Sequence, residues 1–108
     1  MSTKKDKFSA QDIKFMRLAI KLARGKKGLT GDNPSVGCVI VKKNQIISIG
    51  QTGLNGRPHA ETNAIKNSFQ NLSGSKMYVT LEPCNHYGQT PPCTNNIIKS
   101  GIGEVIYS

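Results

Sequence analysis

Apolar residues recur at helical spacing at Ile13, Met16, Ile20 and Ala23, with Phe15, Ala19 and Leu22 widening the stripe, which predicts an amphipathic helix. Ser9-x-x-Asp12 reads as its capping box and Phe8 with Ile13 as a hydrophobic staple. Gly25 and Gly28 stop that helix, and Asn33-Pro34 marks a turn in the loop that follows. Residues 36–41 and 46–50 are β-rich runs joined by Lys42-Lys43-Asn44-Gln45, a length that suits a hairpin. A glycine-rich loop over 51–58 leads to a second helix over 59–69. The alternating stretch 77–81 predicts a third strand, a long loop covers 82–92, and a short helix over 94–100 stops at Gly101. Glu104–Tyr107 is the last strand. The order α–β–β–α–β–α–β predicts an α/β fold, a mixed sheet with helices on both faces. The last strand is expected beside 77–81, in the manner of a βαβ unit.

The length of 108 residues fits one domain. With 36% hydrophobic and 19% charged residues the chain is neither a disordered tail nor a membrane protein. Its longest apolar run, 36–41, is broken by Gly37 and falls far short of the roughly 18 residues a spanning helix needs. Residues 1–7 are basic but lead into a mixed stretch, not an apolar one, so the expected location is the cytoplasm. Nothing in the sequence follows Glu104–Tyr107 to pair or cover its outer edge, so the domain is expected to be incomplete at its C-terminal end, after a fourth strand.

Charge and cysteine count bring in chemistry. The net charge of +9 invites a nucleic-acid partner. The lysines are dispersed, however, with only the doublets Lys4-Lys5, Lys26-Lys27 and Lys42-Lys43, and a solvated lysine surface is the plainer reading. Three cysteines cannot all pair within one chain, which leaves thiols, metal ligands or nucleophiles. Cys38 lies in an apolar run and reads as a buried small hydrophobe.

His59-Ala60-Glu61 precedes Cys84 and Cys93, and each of these cysteines follows a proline and stands before a predicted helix. One imidazole and two thiolates make a three-ligand zinc set with a fourth tetrahedral position open. Residues at i and i+2 of a helix do not face each other. Glu61 therefore reads as an acid/base beside the metal rather than a further ligand. His-x-Glu alone is a weak signal, since a first-turn glutamate beside a loop histidine is common. His86 offers another arrangement, closing a four-ligand structural site with Cys84. The combination of His-x-Glu with Pro-Cys and a second cysteine matches the zinc-deaminase signature except for spacing: eight residues separate Cys84 from Cys93, where two are usual.

With that spacing, Thr80-Leu81-Glu82-Pro83-Cys84-Asn85-His86-Tyr87-Gly88-Gln89-Thr90-Pro91-Pro92-Cys93-Thr94 resembles the zinc segment of the diaminohydroxyphosphoribosylaminopyrimidine deaminases of riboflavin biosynthesis. Asn33-Pro34-Ser35-Val36-Gly37-Cys38-Val39-Ile40-Val41 and Pro58-His59-Ala60-Glu61-Thr62-Asn63-Ala64-Ile65 agree with the same family. The resemblance implies a cytidine deaminase-like fold, Zn2+ as cofactor on His59, Cys84 and Cys93, and Glu61 as the proton shuttle. It also implies Asn33 on the pyrimidine edge, His86 near the ring and ribose, and Gln89 at the polar end of the substrate. The family usually has Lys or Arg at the position of Gln89. It often has a further histidine before His59, where Thr52 is the nearest equivalent here. The implied partner is a small phosphorylated pyrimidine, with no nucleic acid or membrane, and a homo-oligomer is compatible. A reductase domain is expected in a longer or separate chain. Two other functions fit parts of the pattern: a tRNA or nucleoside deaminase, and a non-enzymatic zinc-stabilised nucleic-acid-binding module.

Overall fold

The computed structural model describes residues 2–3, 8–25, 35–53, 59–80 and 93–107. In chain order the elements are β1 (Ser2–Thr3), α1 (Ala10–Gly25), β2 (Gly37–Lys42), β3 (Gln45–Gln51), α2 (Ala60–Asn67), β4 (Lys76–Val79), α3 (Cys93–Ser100) and β5 (Glu104–Tyr107). The strands form one mixed sheet in the order β1-β5-β4-β2-β3. Strand β2 is antiparallel to both β3 and β4, whereas β4, β5 and β1 run parallel. All four expected strands are present, and β5 lies beside β4 with Met77 opposite Val105 and Tyr78 opposite Ile106. The two-residue β1 is an addition, pairing Ser2 and Thr3 with Val105 and Ile106 on the far side of β5. A strand this short carries no alternation by which a sequence could announce it.

Alternation along the central strands divides the core in two. Cys38, Ile40, Met77, Val79 and Val105 face one side, where Ala60 and Ala64 of α2 and Ile97 of α3 cover them. Val39, Val41, Tyr78 and Ile106 face the other, beneath Phe15, Met16 and Ala19 of α1. The crossovers β3–α2–β4 and β4–α3–β5 each join parallel strands and step the same way along the sheet. Right-handed connections therefore place both helices on one face.

Helices α1 and α2 lie close on the sheet. A Cβ on Gly37 would sit 1.9 Å from the Ala19 carbonyl oxygen, and one on Gly50 would sit 2.3 Å from that of Ala60. The approach of α1 fixes its rotation and corrects the stripe read from the sequence. Its buried positions are Asp12, Phe15, Met16 and Ala19, whereas Phe8, Ile13 and Ile20 are 37%, 43% and 37% exposed, so the staple pair is not buried. The small Ala19 must meet Gly37, and the same rotation of the helix brings Asp12, two turns earlier, to Tyr78.

The capping box forms as expected. Asp12 N donates to Ser9 Oγ at 3.1 Å, and Ser9 N donates to Asp12 Oδ2 at 3.2 Å. The other carboxylate oxygen accepts the Tyr78 hydroxyl at 2.6 Å, which makes a buried acid tolerable. Burial, followed by the hydrogen bond and charge of Asp12, holds the Tyr78 hydroxyl protonated well above the ordinary tyrosine range. A group with a raised folded-state pKa contributes stability that is complete below its unfolded value, near 10, and is lost as pH climbs beyond it. Tyr78→Phe is expected to cost about 1–2 kcal/mol at neutral pH by denaturant unfolding, through the lost hydrogen bond to Asp12 Oδ1. It should also flatten the alkaline loss of stability above pH ~10.

Candidate active site

The carboxyl ends of β3 and β4 lie at the same end of the sheet as the start of β2, because β2 is antiparallel to both. Helices α2 and α3 begin at this end and run back along the sheet, parallel to each other. His59 is the N-cap of α2, with extended backbone (φ −67, ψ 157) and no side-chain capping bond. Glu61 follows in the first turn and is 5% exposed. Cys93 is the first residue of α3, one position earlier than the expected start. Two helix N-termini thus present their positive ends here, which favours thiolate over thiol and stabilises a nearby carboxylate.

Of the residues singled out in the sequence, His59 and Glu61 are described in full and Cys93 by its backbone. Asn33, Cys84, His86 and Gln89 lie outside the described residues. The segments that carry them leave and re-enter the described structure at this same end, through Gly25, Ser35, Thr80 and Cys93. Among the described residues no three His, Cys, Asp or Glu side chains gather as a metal would require. The donor chemistry nevertheless fits zinc. A histidine at one helix N-terminus and a cysteine at the start of the next stand at one end of the sheet, with the buried Glu61 two residues from the first.

Polar clamps hold this end together. Thr52, 2% exposed, donates its amide to Val36 O at 3.0 Å and accepts the Val36 amide on Oγ1 at 2.9 Å. Thr80 N donates to Gly37 O at 3.2 Å while Gly37 N donates to Thr80 Oγ1 at 3.3 Å. Gln51 Nε2 donates to Leu22 O at 2.8 Å, and Ser35 Oγ donates to Ala23 O. Two of the carbonyls left over at the C-terminus of α1 are thus satisfied by side chains from the start of β2 and the end of β3. The sequence does little to set Gln51 and Ser35 apart. Their only signal is a polar residue at the boundary of a strand-like run. Thr52 stands here as a tie between strands.

A model of the cytidine and deoxycytidylate deaminase zinc-binding region matches residues 9–108. The chain belongs to this family. It is 50% identical over 97 residues to the diaminohydroxyphosphoribosylamino-pyrimidine deaminase of Buchnera aphidicola from Acyrthosiphon pisum, covering 90% of this chain and 66% of that protein. It is 47% identical over 95 residues to the riboflavin biosynthesis protein RibD of Aquifex aeolicus, covering 88% of this chain and 27% of that one. The chain therefore spans about two-thirds of the first relative and about a quarter of the second. The crystal structure of a diaminohydroxyphosphoribosylaminopyrimidine deaminase/5-amino-6-(5-phosphoribosylamino)uracil reductase from Thermotoga maritima superposes with a TM-score of 0.84 at 44% identity, over 90% of this chain and 29% of that one. The dCMP deaminase of cyanophage S-TIM5, at 22% identity and TM-score 0.74, shares the deaminase fold over 93% of this chain and 84% of its own. The expected fold class, a cytidine deaminase-like mixed sheet with helices on both faces, is borne out. No helix of the described residues is long and apolar enough to cross a membrane.

Proposed function

We propose that this protein is a zinc-dependent hydrolytic deaminase of riboflavin biosynthesis. Its substrate would be 2,5-diamino-6-ribosylamino-4(3H)-pyrimidinone 5′-phosphate, and its products 5-amino-6-ribosylamino-2,4(1H,3H)-pyrimidinedione 5′-phosphate and ammonia. The observation that carries this reading is a buried Glu61 two residues after an N-cap His59, at the end of the sheet where α3 begins with Cys93. Residues 1–108 would form a C-terminally incomplete deaminase domain, with a reductase activity residing in a longer or separate chain.

His59, Cys84 and Cys93 would hold zinc, which supplies the Lewis acidity that activates water for attack on the ring carbon bearing the 2-amino group. Glu61 would take a proton from the attacking water and pass it to the ring nitrogen, then take the proton of the hydroxyl so formed on the ring carbon and deliver it to the amine, which leaves as ammonia as the carbonyl closes. Asn33 would bond the pyrimidine edge, His86 would lie near the ring and ribose, and Gln89 would face the polar end. The reaction is a net hydrolysis and moves no electrons, so it calls for no redox cofactor.

Metal analysis tests the ligand set. Cys84→Ala and Cys93→Ser should each lose the one zinc expected per chain, whereas His86→Ala should keep it. Unchanged stoichiometry in both cysteine variants would remove the site, and zinc loss in His86→Ala would favour a four-ligand structural centre.

Ammonia release from the diaminopyrimidine ribotide, compared with cytidine, adenosine and a tRNA anticodon stem-loop, tests the substrate. Preference for the ribotide is expected. Preference for the stem-loop would give the +9 charge a role and make the protein a tRNA deaminase. Salt-dependent RNA binding without any turnover would make it a binding module.

A further inference from the structure

We infer that Asn63 is a positioning residue for the deamination proposed above, on which this inference rests. It holds the first turn of α2, and with it His59 and Glu61, against the end of β3. Gly37 directs its amide and carbonyl to Thr80 of the neighbouring chain segment. In an antiparallel ladder its opposite residue, Gln51, then turns its own carbonyl away from β2, toward the open edge of the sheet. Asn63 Nδ2 donates to that carbonyl at 2.6 Å. One helical turn further on, Asn67 Nδ2 donates to Ile49 O at 3.4 Å, two residues back along the strand. Four helical residues rise about 6 Å and two strand residues about 6.6–6.8 Å, so the two amides match the repeat of the edge strand and fasten α2 along it.

The two fastenings are unequal. The bond of Asn67 is long and exposed. That of Asn63 is short and part-buried, and it lies on the turn whose backbone bond, Asn63 N to His59 O at 3.0 Å, closes the start of α2. Gly50, between the two carbonyls, brings β3 against Ala60 O and Ala64 N, which fixes how near α2 comes to the strand but not where it stands along it. The Asn63 amide supplies that second coordinate at the turn that carries the chemistry. Glu61 acts in proton transfers, and a misplacement of under an ångström weakens them more than it weakens substrate binding.

The test compares kcat and KM for the diaminopyrimidine ribotide, and the rate at which a chelator removes zinc, in four variants of the intact protein. Asn63→Leu and Asn63→Asp, which keep the size but lose the donor, should lower kcat about tenfold or more with KM within about threefold. Both should also release zinc about tenfold faster, because His59 shares the turn. Asn63→His, whose ring N–H reaches the same carbonyl, should restore both readouts. Asn67→Leu should match the parent in both. Parent-like kcat and zinc release in Asn63→Leu and Asn63→Asp would overturn the inference, as would equal losses in Asn67→Leu. A protein that binds zinc yet deaminates nothing would reject the deaminase reading alone, and the chelator rates would still decide the role of Asn63.

Discussion

Glu61→Gln is expected to lower the deamination rate by about 10²–10⁴-fold while the protein keeps its zinc and its melting temperature. Glutamine matches glutamate in size, so the packing around this 5%-exposed side chain survives, but the amide can neither take the proton of the attacking water nor hand one to the leaving nitrogen. The same group is asked to serve more than one proton transfer, which places the loss toward the upper part of that range. Steady-state kinetics with the ribotide should show the loss in kcat, with KM little changed, because the missing interaction belongs to the transition state. Turnover within a few-fold of the parent would remove Glu61 from the mechanism.

The largest effect on stability is expected from Gly37→Ala. The added methyl would lie 1.9 Å from Ala19 O and 2.8 Å from Ala23 N. Both are backbone atoms of α1, so no side chain can swing aside to relieve the clash. Either α1 lifts off β2, opening the cluster of Phe15, Met16, Ala19 and Tyr78, or β2 shifts and breaks its ties to Thr80. The cost should reach about 3 kcal/mol or more, above the usual range for overpacking and a large part of the roughly 5–15 kcal/mol that holds a domain. Denaturant unfolding of Gly37→Ala beside Ala23→Gly, which leaves the contact intact, checks it. A Gly37→Ala variant within 1 kcal/mol of the parent would show that α1 is held less closely than its contact with β2 implies.

What the sequence made legible was local. Strands β2 to β5 and three helices follow from alternation and helical period, and Gly101, with φ +87, stands where the stop of α3 was read. The Ser9–Asp12 box needed only four consecutive residues. What escaped depended on distant partners. Ile13 and Ile20 lie beside the true buried stripe, and choosing between them and Asp12 required knowing that a hydroxyl 66 residues away would meet the carboxylate. The site divides in the same way. His59, Glu61, Cys84 and Cys93 stand out because metal and acid/base chemistry restrict residue type and spacing. Gln51, Asn63 and Ser35 do not, because many polar residues could occupy strand and helix boundaries, and only the folded sheet shows which carbonyls lie within reach.

The hairpin between β2 and β3 turns through Lys43 and Asn44, both with positive φ (52° and 62°), a conformation that fits the two-residue primed turns joining twisted strands. This turn lies at the opposite end of the sheet from His59, Glu61 and the start of α3, roughly 20 Å away along the six residues of β2. The molecule therefore has a working end and a handling end. A fluorophore, a surface tether or a fused partner attached at Lys43 would sit away from the working end, so immobilised protein should retain the solution properties of the candidate centre.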